Sequence, residues 1–431
     1  MNNPDPLPAK GAPLRVLMIA FHFPPLAGSS GIQRTLRFVQ HLPSFGWQPL
    51  VLSAHPRAFT AVSEDLMGEV PPGIIVERPF ALDTARHLAI AGRYPGRLAL
   101  PDRWCTWSLG AIPTGLMMIR KYRPDVIWST YPIATAHLIA QRLHRLSGVP
   151  WIADFRDPMV QDGYPEDPRA WRSFQRVEQC AVSDAVRLVF VTPGAKAMYH
   201  ERYAAVPTDR FAVIENGYDE ESFVAAERDV AAAPLNPGCF TLLHSGIVYP
   251  LERDPRALFE ALGRLKAAGA ECTRHLRIRF RSPVHADLLA KLASESKTED
   301  LVEILPSIPY RDALQEMLRA DGLLVMQGAN CNEQIPAKVY EYLRARRPIL
   351  GLADPKGDTA KTMLAAGVRH VETLEDSPGV EGALQRFLAE FPIGATPGPM
   401  RPALAAMSRS SRTHELVGLL DHARQRTKLR S

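Results

Sequence analysis

The sequence predicts an α/β protein of two similar domains, each with a parallel sheet and interleaved helices. Short, uniformly apolar runs of strand length alternate with segments in which apolar residues recur at helical spacing. This alternation occurs once in each half of the chain, and a chain of 431 residues is long enough for about two to three domains. The cleft between two such domains is the expected ligand site.

Six strands are predicted in the first half, at 15–20, 48–54, 73–79, 125–130, 149–155 and 186–192. Helical spacing predicts a helix over 32–46 that ends near Gly46, and another over 134–148 that is closed by Gly148. Strand–helix alternation of this kind is typical of a doubly wound parallel sheet.

Six further strands are predicted in the second half, at 239–246, 275–282, 301–306, 322–328, 347–352 and 368–374. The segment 225–238 is rich in Ala and Pro and is predicted to belong to the connection between domains, and a final helix is predicted over 411–425. The predicted divisions are an N-terminal domain 1–225, a C-terminal domain 226–402 and a helical segment 403–431 that packs back on the N-terminal domain.

Composition excludes several classes of protein. The formal charge of +5 permits an anionic ligand or a loose association with acidic lipid, but no dense Lys/Arg stripe with interleaved aromatics predicts nucleic-acid binding. The five cysteines are far apart and form no CxxC, which argues against a disulfide framework or a zinc site and favours a reducing, cytosolic compartment. No apolar run is long enough to cross a bilayer, and residues 1–12 are expected to form a polar tail.

In the first half, "FPPLAGSSGIQR" joins the first strand to its helix. Gly28 and Gly31 allow close approach of the backbone, and the helix N-terminus together with Arg34 favours a phosphate or an anionic sugar group. The alternative is a flexible turn without a ligand, since the spacing is not GxGxxG. After the fifth strand, "DFRDP" offers Asp154 and Arg156 at a strand end, where sites form, although a self-satisfied turn explains it equally.

In the second half, "NEQIPAKVYEYL" carries Glu333 in a loop and Glu341 about two turns later. Pro336 suits a first helical turn, so the free N–H groups before it can face an anion. Glu341 can accept hydrogen bonds from the paired hydroxyls of a ribose, and Glu333 can contact a sugar. The alternative is a solvated loop residue and a surface ion-pair partner.

Other residues are less decisive. Asn216 and Gly217 read most simply as a tight turn with positive φ, and Asn216 is a weaker candidate for a donor contact. His244 lies at a strand end before Gly246 and is a candidate for the same pocket. His137 is expected to be a packing residue rather than a base, whereas Trp104, Trp107 and Trp128 fit either the core or an acceptor platform.

Taken together, these segments resemble the family-four glycosyltransferases, whose GT-B fold has two facing Rossmann-like domains. The resemblance rests on "RVLMIAFHFPPLAGSSGIQRTLRFVQHLPSFGWQPLVLS", "PWIADFRDPM", "FVTPGAKAMYHERY", "FAVIENGYDEESF", "FTLLHSGIVYPLERDPRALFEAL" and "IPAKVYEYLRARRPILGLAD". Glu333 and Glu341 form the E-x7-E motif of that family. The sequence looks closest to bacterial members that build surface polysaccharides.

The resemblance implies transfer of a sugar from a nucleotide-diphosphate sugar, bound by the C-terminal domain, to an acceptor on the N-terminal domain. Glu341 matches the position that holds the ribose, and Glu333 the position near the reacting carbon. The backbone of Gln334 and Ile335 matches the pyrophosphate contact. The outcome implied is retention of anomeric configuration, with neither a cofactor nor a metal required.

Two departures from the family pattern follow. Ile247 stands where members often have arginine after the "SG" strand, so Arg253 and Lys338 are predicted to supply the positive charge. The usual first-domain histidine is also missing, which leaves Asp154 and Arg156 as the groups nearest the transferred sugar.

The implied partners are a nucleotide sugar and a glycan or lipid-linked acceptor, with peripheral association at the inner face of the membrane. Two rival functions stay open at this point. One is a GT-B sugar-nucleotide epimerase or hydrolase, which uses the same cleft without a second sugar acceptor. The other is a non-catalytic nucleotide-sugar-binding protein.

Overall fold

The computed structural model describes residues 13–428, apart from residues 30, 65, 92, 95, 162, 232, 395–397 and 399–401. The polar tail predicted at residues 1–12 lies outside the described residues. In the described part of the chain, the strands are β1 Leu14–Ile19, β2 Trp47–Leu52, β3 Ile75–Glu77, β4 Val126–Thr130, β5 Trp151–Arg156, β6 Arg187–Phe190, β7 Phe211–Val213, β8 Phe240–Ser245, β9 Leu276–Arg281, β10 Val302–Leu305, β11 Gly322–Gln327, β12 Ile349–Ala353 and β13 His370–Glu372.

The α-helices of the same part are α1 Gly31–His41, α2 Thr84–His87, α3 Trp107–Tyr122, α4 Ala134–Ser147, α5 Pro168–Asp184, α6 Pro193–Arg202, α7 Glu220–Arg228, α8 Arg256–Ala267, α9 Glu271–Arg274, α10 Ala286–Glu295, α11 Tyr310–Arg319, α12 Lys338–Ala345, α13 Asp358–Ala365, α14 Ser377–Glu390, α15 Pro402–Ala405 and α16 Arg409–Lys428. None of these helices is long and apolar enough to cross a membrane.

The first compact unit comprises the described residues within Met1–Val191, Lys196–Ile214 and Arg412–Ser431. Its seven-stranded sheet has the order β3-β2-β1-β4-β5-β6-β7, and every pairing is parallel. The central strands are buried on both faces because helices cover both sides of a doubly wound sheet, so their sequences are mostly apolar. The strand order reverses beside β1, and the loops after β1 and β4 leave the sheet there.

The second unit comprises the described residues within Thr192–Ala195 and Glu215–Ser411. Its six-stranded parallel sheet has the order β10-β9-β8-β11-β12-β13. Two hydrophobic clusters, on opposite faces of this sheet, bury β8, β11 and β12. The carboxyl ends of β8 and β11, the switch point of this sheet, face the start of α12.

The predicted fold class is confirmed, and all twelve predicted strands are present. The prediction missed β7, which has three residues, and named no helix at the 16-residue α3 or the 17-residue α5. Gly148 ends α4 with φ 73°, as predicted, whereas the segment expected as one helix over 32–46 is α1 followed by a 3-10 turn over Leu42–Phe45. That turn ends at Gly46, whose φ is 81°.

The predicted domain bounds, 1–225, 226–402 and 403–431, stay a proposal, as does the cleft. The compact units divide the chain at 214/215 and again at 411/412. The segment 225–238, expected in a connection, begins within α7 of the second unit. Within the first unit, the last part of α16 contacts the sheet through His422, which lies 2.7 Å from the guanidinium of Arg187.

Candidate functional site

His244 and Lys338 meet at the carboxyl end of β8 in the second unit. His244 is fully buried; its Nδ1 lies 2.9 Å from the carbonyl oxygen of Leu324, and its Nε2 lies 3.0 Å from Nζ of Lys338. The hydrogen-bond network assigns the proton to Nδ1, which donates to the carbonyl, and leaves Nε2 to accept from the ammonium group. Burial and the adjacent Lys338 charge hold the pKa of His244 well below its usual range, so the ring is neutral.

Gly246 follows β8 with φ 109°, a conformation that favours glycine. A Cβ atom at this position would lie 3.2 Å from Nζ of Lys338, so a side chain here would crowd the ammonium group. The N–H of Ser245 donates to the hydroxyl of Tyr342 at 2.7 Å, which fixes the strand end against α12. The backbone therefore passes close to Lys338, as it does where main chain lines a ligand site.

Arg253 lies beside this group and also has uncharged partners. It donates from Nη1 to the carbonyl oxygen of Ile247 at 3.0 Å and from Nε to the side-chain oxygen of Gln327 at 3.2 Å. Its guanidinium stacks over the ring of Tyr249, 5.1 Å from the centroid. The Arg253 charge thus lies next to Ile247, the position where an arginine was expected.

Arg253 and Lys338 are two half-buried cations that form no ion pair among the described residues. Burial lowers the pKa of Arg253, and burial together with the Arg253 charge lowers the pKa of Lys338 well below its usual range. Two like charges held together are costly in the absence of a ligand, although the nearby charges of Glu252 and Glu341 favour the charged forms of Arg253 and Lys338. An anion bound between them would remove that cost.

Glu341 lies one turn into α12, on the side of Lys338. Its Oε1 accepts a hydrogen bond of 2.8 Å from the hydroxyl of Tyr310, the first residue of α11. Burial raises the pKa of Glu341, opposed by the Tyr310 hydrogen bond and the charges of Arg409 and Lys338. Tyr310 was not predicted from the sequence, because it lies 31 residues from Glu341 and no local pattern links them.

The segment before α12 differs from the prediction. The helix begins at Lys338 with Ala337 at its N-cap, so Pro336 precedes the helix rather than occupying its first turn. The N–H of Gln334 donates to the carbonyl of Cys331 at 3.0 Å and is not free to face an anion; Ile335 is buried in the core. In the first turn of α12, the side chain best placed to contact an anion is that of Lys338.

Glu333 is half-buried, and its backbone is held by residues 192–195, which belong to the second unit. The hydroxyl of Thr192 donates to the carbonyl oxygen of Glu333 at 2.6 Å. A Cβ at Gly194 would lie 3.1 Å from Cα of Glu333, and the N–H of Gly194 donates to Asp358 at 2.6 Å. These contacts position the Glu333 main chain; the sequence offered no signal for them because they join positions about 140 residues apart.

Asn216 and Gly217 do not form the predicted positive-φ turn. The φ of Gly217 lies outside the left-handed region. The glycine is required for a different reason, because a Cβ there would lie 2.4 Å from the carbonyl oxygen of Met407. The next residue, Tyr218, forms a parallel bridge with Ser408, so this segment pairs with the chain before α16.

In the first unit, Arg34 and Asp154 form a buried bidentate ion pair, with Nε and Nη2 each 2.8 Å from a carboxylate oxygen. Arg34 is 2% exposed and Asp154 is 0% exposed, and Asp154 also accepts from the hydroxyl of Thr130 at 2.9 Å. We predicted Arg34 as a phosphate contact and Asp154 as a catalytic group. Because both charges are already paired and enclosed, we correct both assignments to positioning residues that join α1 to β5.

Arg156 is the more accessible group at this end of the sheet. It has φ 59°, unusual for a non-glycine residue, and β5 shifts register against β6 just before it. Its Nη1 makes long contacts of 3.4 Å with the carbonyl oxygens of Gly31 and Tyr131. Burial lowers the pKa of Arg156. This guanidinium is therefore half-buried and makes only long hydrogen bonds among the described residues, in contrast to Arg34.

Gly31 makes room for Arg156 and His22. A Cβ at Gly31 would lie 2.4 Å from Nδ1 of His22 and 2.8 Å from Nη1 of Arg156, whereas Gly28 supplies a turn with φ 76°. His22 lies 3.2 Å from the hydroxyl of Ser29, and burial, with the Arg156 charge, lowers its pKa to about 3. The predicted glycines thus surround a neutral histidine and a cation.

His137 is a packing residue, as expected. It is fully buried, its Nδ1 lies 2.8 Å from the hydroxyl of Ser129, and its ring packs against Trp151 and Phe155. Trp107 and Trp128 are fully buried in the core, whereas Trp104 is half-buried and donates to the carbonyl of Ala58.

The structure therefore brings five predicted residues of the second unit close together. The five are His244, Gly246, Arg253, Lys338 and Glu341. In the first unit, Arg34 and Asp154 pair with each other, whereas Arg156 forms no such pair with any described residue. Within the part of the chain that the structure describes, no group of three or more His, Cys, Asp or Glu side chains is arranged to hold a metal ion.

Comparison with known protein families matches one segment of the chain, which lies mostly in the first unit. Residues 30–217 match the model described as "Glycosyl transferase 4-like domain". This segment is similar to glycosyl transferase 4-like domains. It spans most of the first unit, from α1 through the end of β5 to β7. No curated protein matches the sequence.

Solved structures show the fold of the whole chain. The Anabaena protein Alr3699/HepE, solved with UDP and glucose, is 12% identical over 96% of this chain and 98% of its own, with a TM-score of 0.59. Sucrose-phosphate synthase from Thermosynechococcus elongatus is 14% identical over the same shares, with a TM-score of 0.62. The UDP-GlcNAc 2-epimerase from Neisseria meningitidis is 10% identical over 94% of this chain and 99% of its own, with a TM-score of 0.55. The chain therefore has the two-domain α/β fold known as GT-B.

Proposed function

We propose that this protein is a glycosyltransferase that moves a sugar from a nucleotide-diphosphate sugar to a glycan or lipid-linked acceptor. The donor binds to the second unit and the acceptor to the first. We further propose retention of anomeric configuration, no required metal ion, and a role in surface polysaccharide biosynthesis at the inner, cytoplasmic face of the membrane.

The observation that carries the proposal is the unpaired cation pair of Arg253 and Lys338 beside Gly246. In sugar transfer, negative charge develops on the departing diphosphate while the sugar ring becomes electron-poor. Cations that are already in place stabilise that charge without reorganisation, and partial burial strengthens the interaction. Arg253 and Lys338 act on the diphosphate, and neutral His244 keeps the Lys338 ammonium group oriented.

The carboxylates serve the rest of the donor in this proposal. Glu341, oriented by Tyr310, keeps Oε2 for a ribose hydroxyl. Glu333 contacts the sugar near the reacting carbon, with its backbone fixed through Thr192 and Gly194. Asn216 remains a weaker proposed donor contact. On the acceptor side, Arg156 is the proposed contact, and the Arg34–Asp154 pair holds the strand end that carries it.

The likeness to a UDP-GlcNAc 2-epimerase favours a second candidate, a sugar-nucleotide epimerase or hydrolase with the same donor site. A protein that binds nucleotide sugar without catalysis is a third. These candidates share the diphosphate contact and differ in what becomes of the sugar, so product analysis separates them.

The first experiment is a thermal-shift screen of UDP, GDP, ADP, CDP and dTDP against the purified protein. We expect at least one nucleoside diphosphate to raise the melting temperature, with a smaller shift in Lys338→Met and an unchanged shift in Lys291→Gln, an exposed lysine of α10. No shift with any diphosphate would overturn the donor site.

The second experiment incubates the labelled sugar form of the diphosphate that binds. Nucleotide release that requires a glycan or lipid-linked acceptor supports transfer. Formation of an isomeric nucleotide sugar without release supports epimerisation, and release without acceptor supports hydrolysis; either result contradicts the transferase.

A further inference from the structure

We infer that one face of α3 is a docking surface for an anionic membrane. The α3 face consists of Leu109, Ile112, Pro113, Leu116, Met117 and Arg120. At 3.6 residues per turn these positions share one side of the helix, opposite the buried residues Trp107, Ala111, Gly115 and Met118. Leu109 is 72% exposed and Met117 is 53% exposed, and Ile112 and Leu116 are half-buried.

The composition of this face is unusual for a surface helix. A helix that packs on one side normally carries charged or polar residues on the other. Here the outer side is apolar for about three turns, and residues 107–122 contain no aspartate or glutamate. Phe80, which is 46% exposed, extends the apolar surface, because its carbonyl oxygen would lie 2.7 Å from a Cβ built on Gly110. A contiguous apolar surface with this much exposure marks an interaction site.

The surroundings of the α3 face are strongly basic. Residues 83–123 contain seven arginines and lysines and two aspartates, a formal charge of +5. Both acids are buried: Asp102 accepts hydrogen bonds from the backbone and hydroxyl of Thr135, and Asp83 pairs with Arg103. Arg120 and Lys121 stand exposed at the end of the apolar stripe.

Apolar and basic groups on one helix face fit the boundary between lipid headgroups and acyl chains. The apolar side chains enter the boundary, and each nearby Lys or Arg adds electrostatic attraction to anionic lipid. The helix is about 24 Å long and lies along the surface, since about 30 Å is needed to span the hydrocarbon core. A second copy of the chain is a poorer occupant, because two faces of the same positive charge repel each other.

This inference deepens the proposed function by naming the partner surface, and it rests on the peripheral membrane association proposed there. Its test needs neither donor nor acceptor. A parent protein that binds a diphosphate but no vesicle would overturn the docking surface alone, whereas a parent protein that binds anionic vesicles but no diphosphate would overturn the donor site alone.

The experiment is flotation of the full chain with vesicles of phosphatidylcholine, with and without phosphatidylglycerol. We expect binding to the anionic vesicles and at least tenfold weaker partition to the neutral ones. In Leu109→Gln/Met117→Gln we expect the partition coefficient on anionic vesicles to fall by about tenfold or more, as also in Arg120→Gln/Lys121→Gln. Melting temperature and diphosphate binding should match the parent, because the altered side chains are exposed.

Matched controls lie in the second unit. Val224→Gln/Leu364→Gln removes two exposed apolar side chains elsewhere, and Lys291→Gln/Arg386→Gln removes two exposed charges. Both should float like the parent. The inference is overturned by a parent that binds neither vesicle, by α3 variants that float like the parent, or by equal binding to neutral and anionic vesicles. A concentration-dependent dimer that Leu109→Gln/Met117→Gln disrupts, without vesicle binding, would also overturn it.

Discussion

The charged groups at the strand ends of the two units are organised in opposite ways. In the first unit, Arg34 and Asp154 neutralise each other in a bidentate pair that is almost completely enclosed. In the second, Arg253 and Lys338 are half-buried and their described partners are a carbonyl, an amide and a neutral imidazole. The first arrangement is complete without a ligand, whereas the second holds two cations that form no direct ion pair among the described residues. We infer that the paired charges stabilise the fold, whereas the cations without an ion pair bind the ligand.

The largest change in stability is expected from breaking the ion pair between Arg34 and Asp154. Arg34→Met leaves Asp154 buried without its cation, so we expect the free energy of unfolding to fall by about 3–5 kcal/mol. Urea denaturation measures the loss. The double variant Arg34→Met/Asp154→Leu should recover most of the stability because no buried charge remains; a double variant as unstable as the single one would contradict the pairing.

Acid should weaken the first unit through its neutral histidines. Burial lowers the pKa of His137 to about 4, from 6.5 in the unfolded chain, so between those values the unfolded state binds the extra proton. The free energy of unfolding then falls as pH decreases from about 6.5 to about 4, by at most about 1.4 kcal/mol per pH unit for this group. His137→Gln should flatten the slope measured by urea denaturation at several pH values; an unchanged slope would assign it to other groups.

A smaller effect, on diphosphate affinity, is expected from removing the hydrogen bond between Tyr310 and Glu341 in the second unit. Tyr310→Phe removes the hydroxyl that orients Glu341 and keeps the ring. We expect diphosphate affinity measured by calorimetry to weaken by about 1 kcal/mol, roughly fivefold. Tyr249→Phe, which changes a hydroxyl on the ring beneath Arg253, is the matched control and should bind like the parent. Equal losses in both variants would speak against an orienting role for Tyr310.

The sequence predicted the fold well because the deciding signals are local. Uniformly apolar strands mark a doubly covered parallel sheet, and Gly46 and Gly148 end their helical segments with positive φ. The strand β7 was missed because three residues carry too little pattern. The helix α3 was missed because it is apolar on nearly every side and shows little helical periodicity.

The candidate site was predictable only in part. The E-x7-E spacing and the "HSG" strand end indicated Lys338, Glu341, His244 and Gly246, which the structure brings together. The state of each charge was not predictable, because pairing depends on contacts that are distant in sequence: Arg34 and Asp154 are 120 residues apart, and Tyr310 and Glu341 are 31 apart. The conformation of Gly217 was misjudged for a related reason, since a tertiary contact with Met407 rather than local turn chemistry requires the glycine.

The measurement that tests the central claim most directly compares Lys338→Met with Arg34→Met, scoring unfolding free energy and affinity for the nucleoside diphosphate that binds best. The account predicts that Lys338→Met is as stable as the parent or more stable, with affinity lowered about tenfold to a hundredfold, as expected for loss of a charged hydrogen bond. It predicts that Arg34→Met loses stability and, where folded, keeps its affinity. If Lys338→Met were strongly destabilised and bound the diphosphate like the parent, the division between paired and unpaired charge would be wrong.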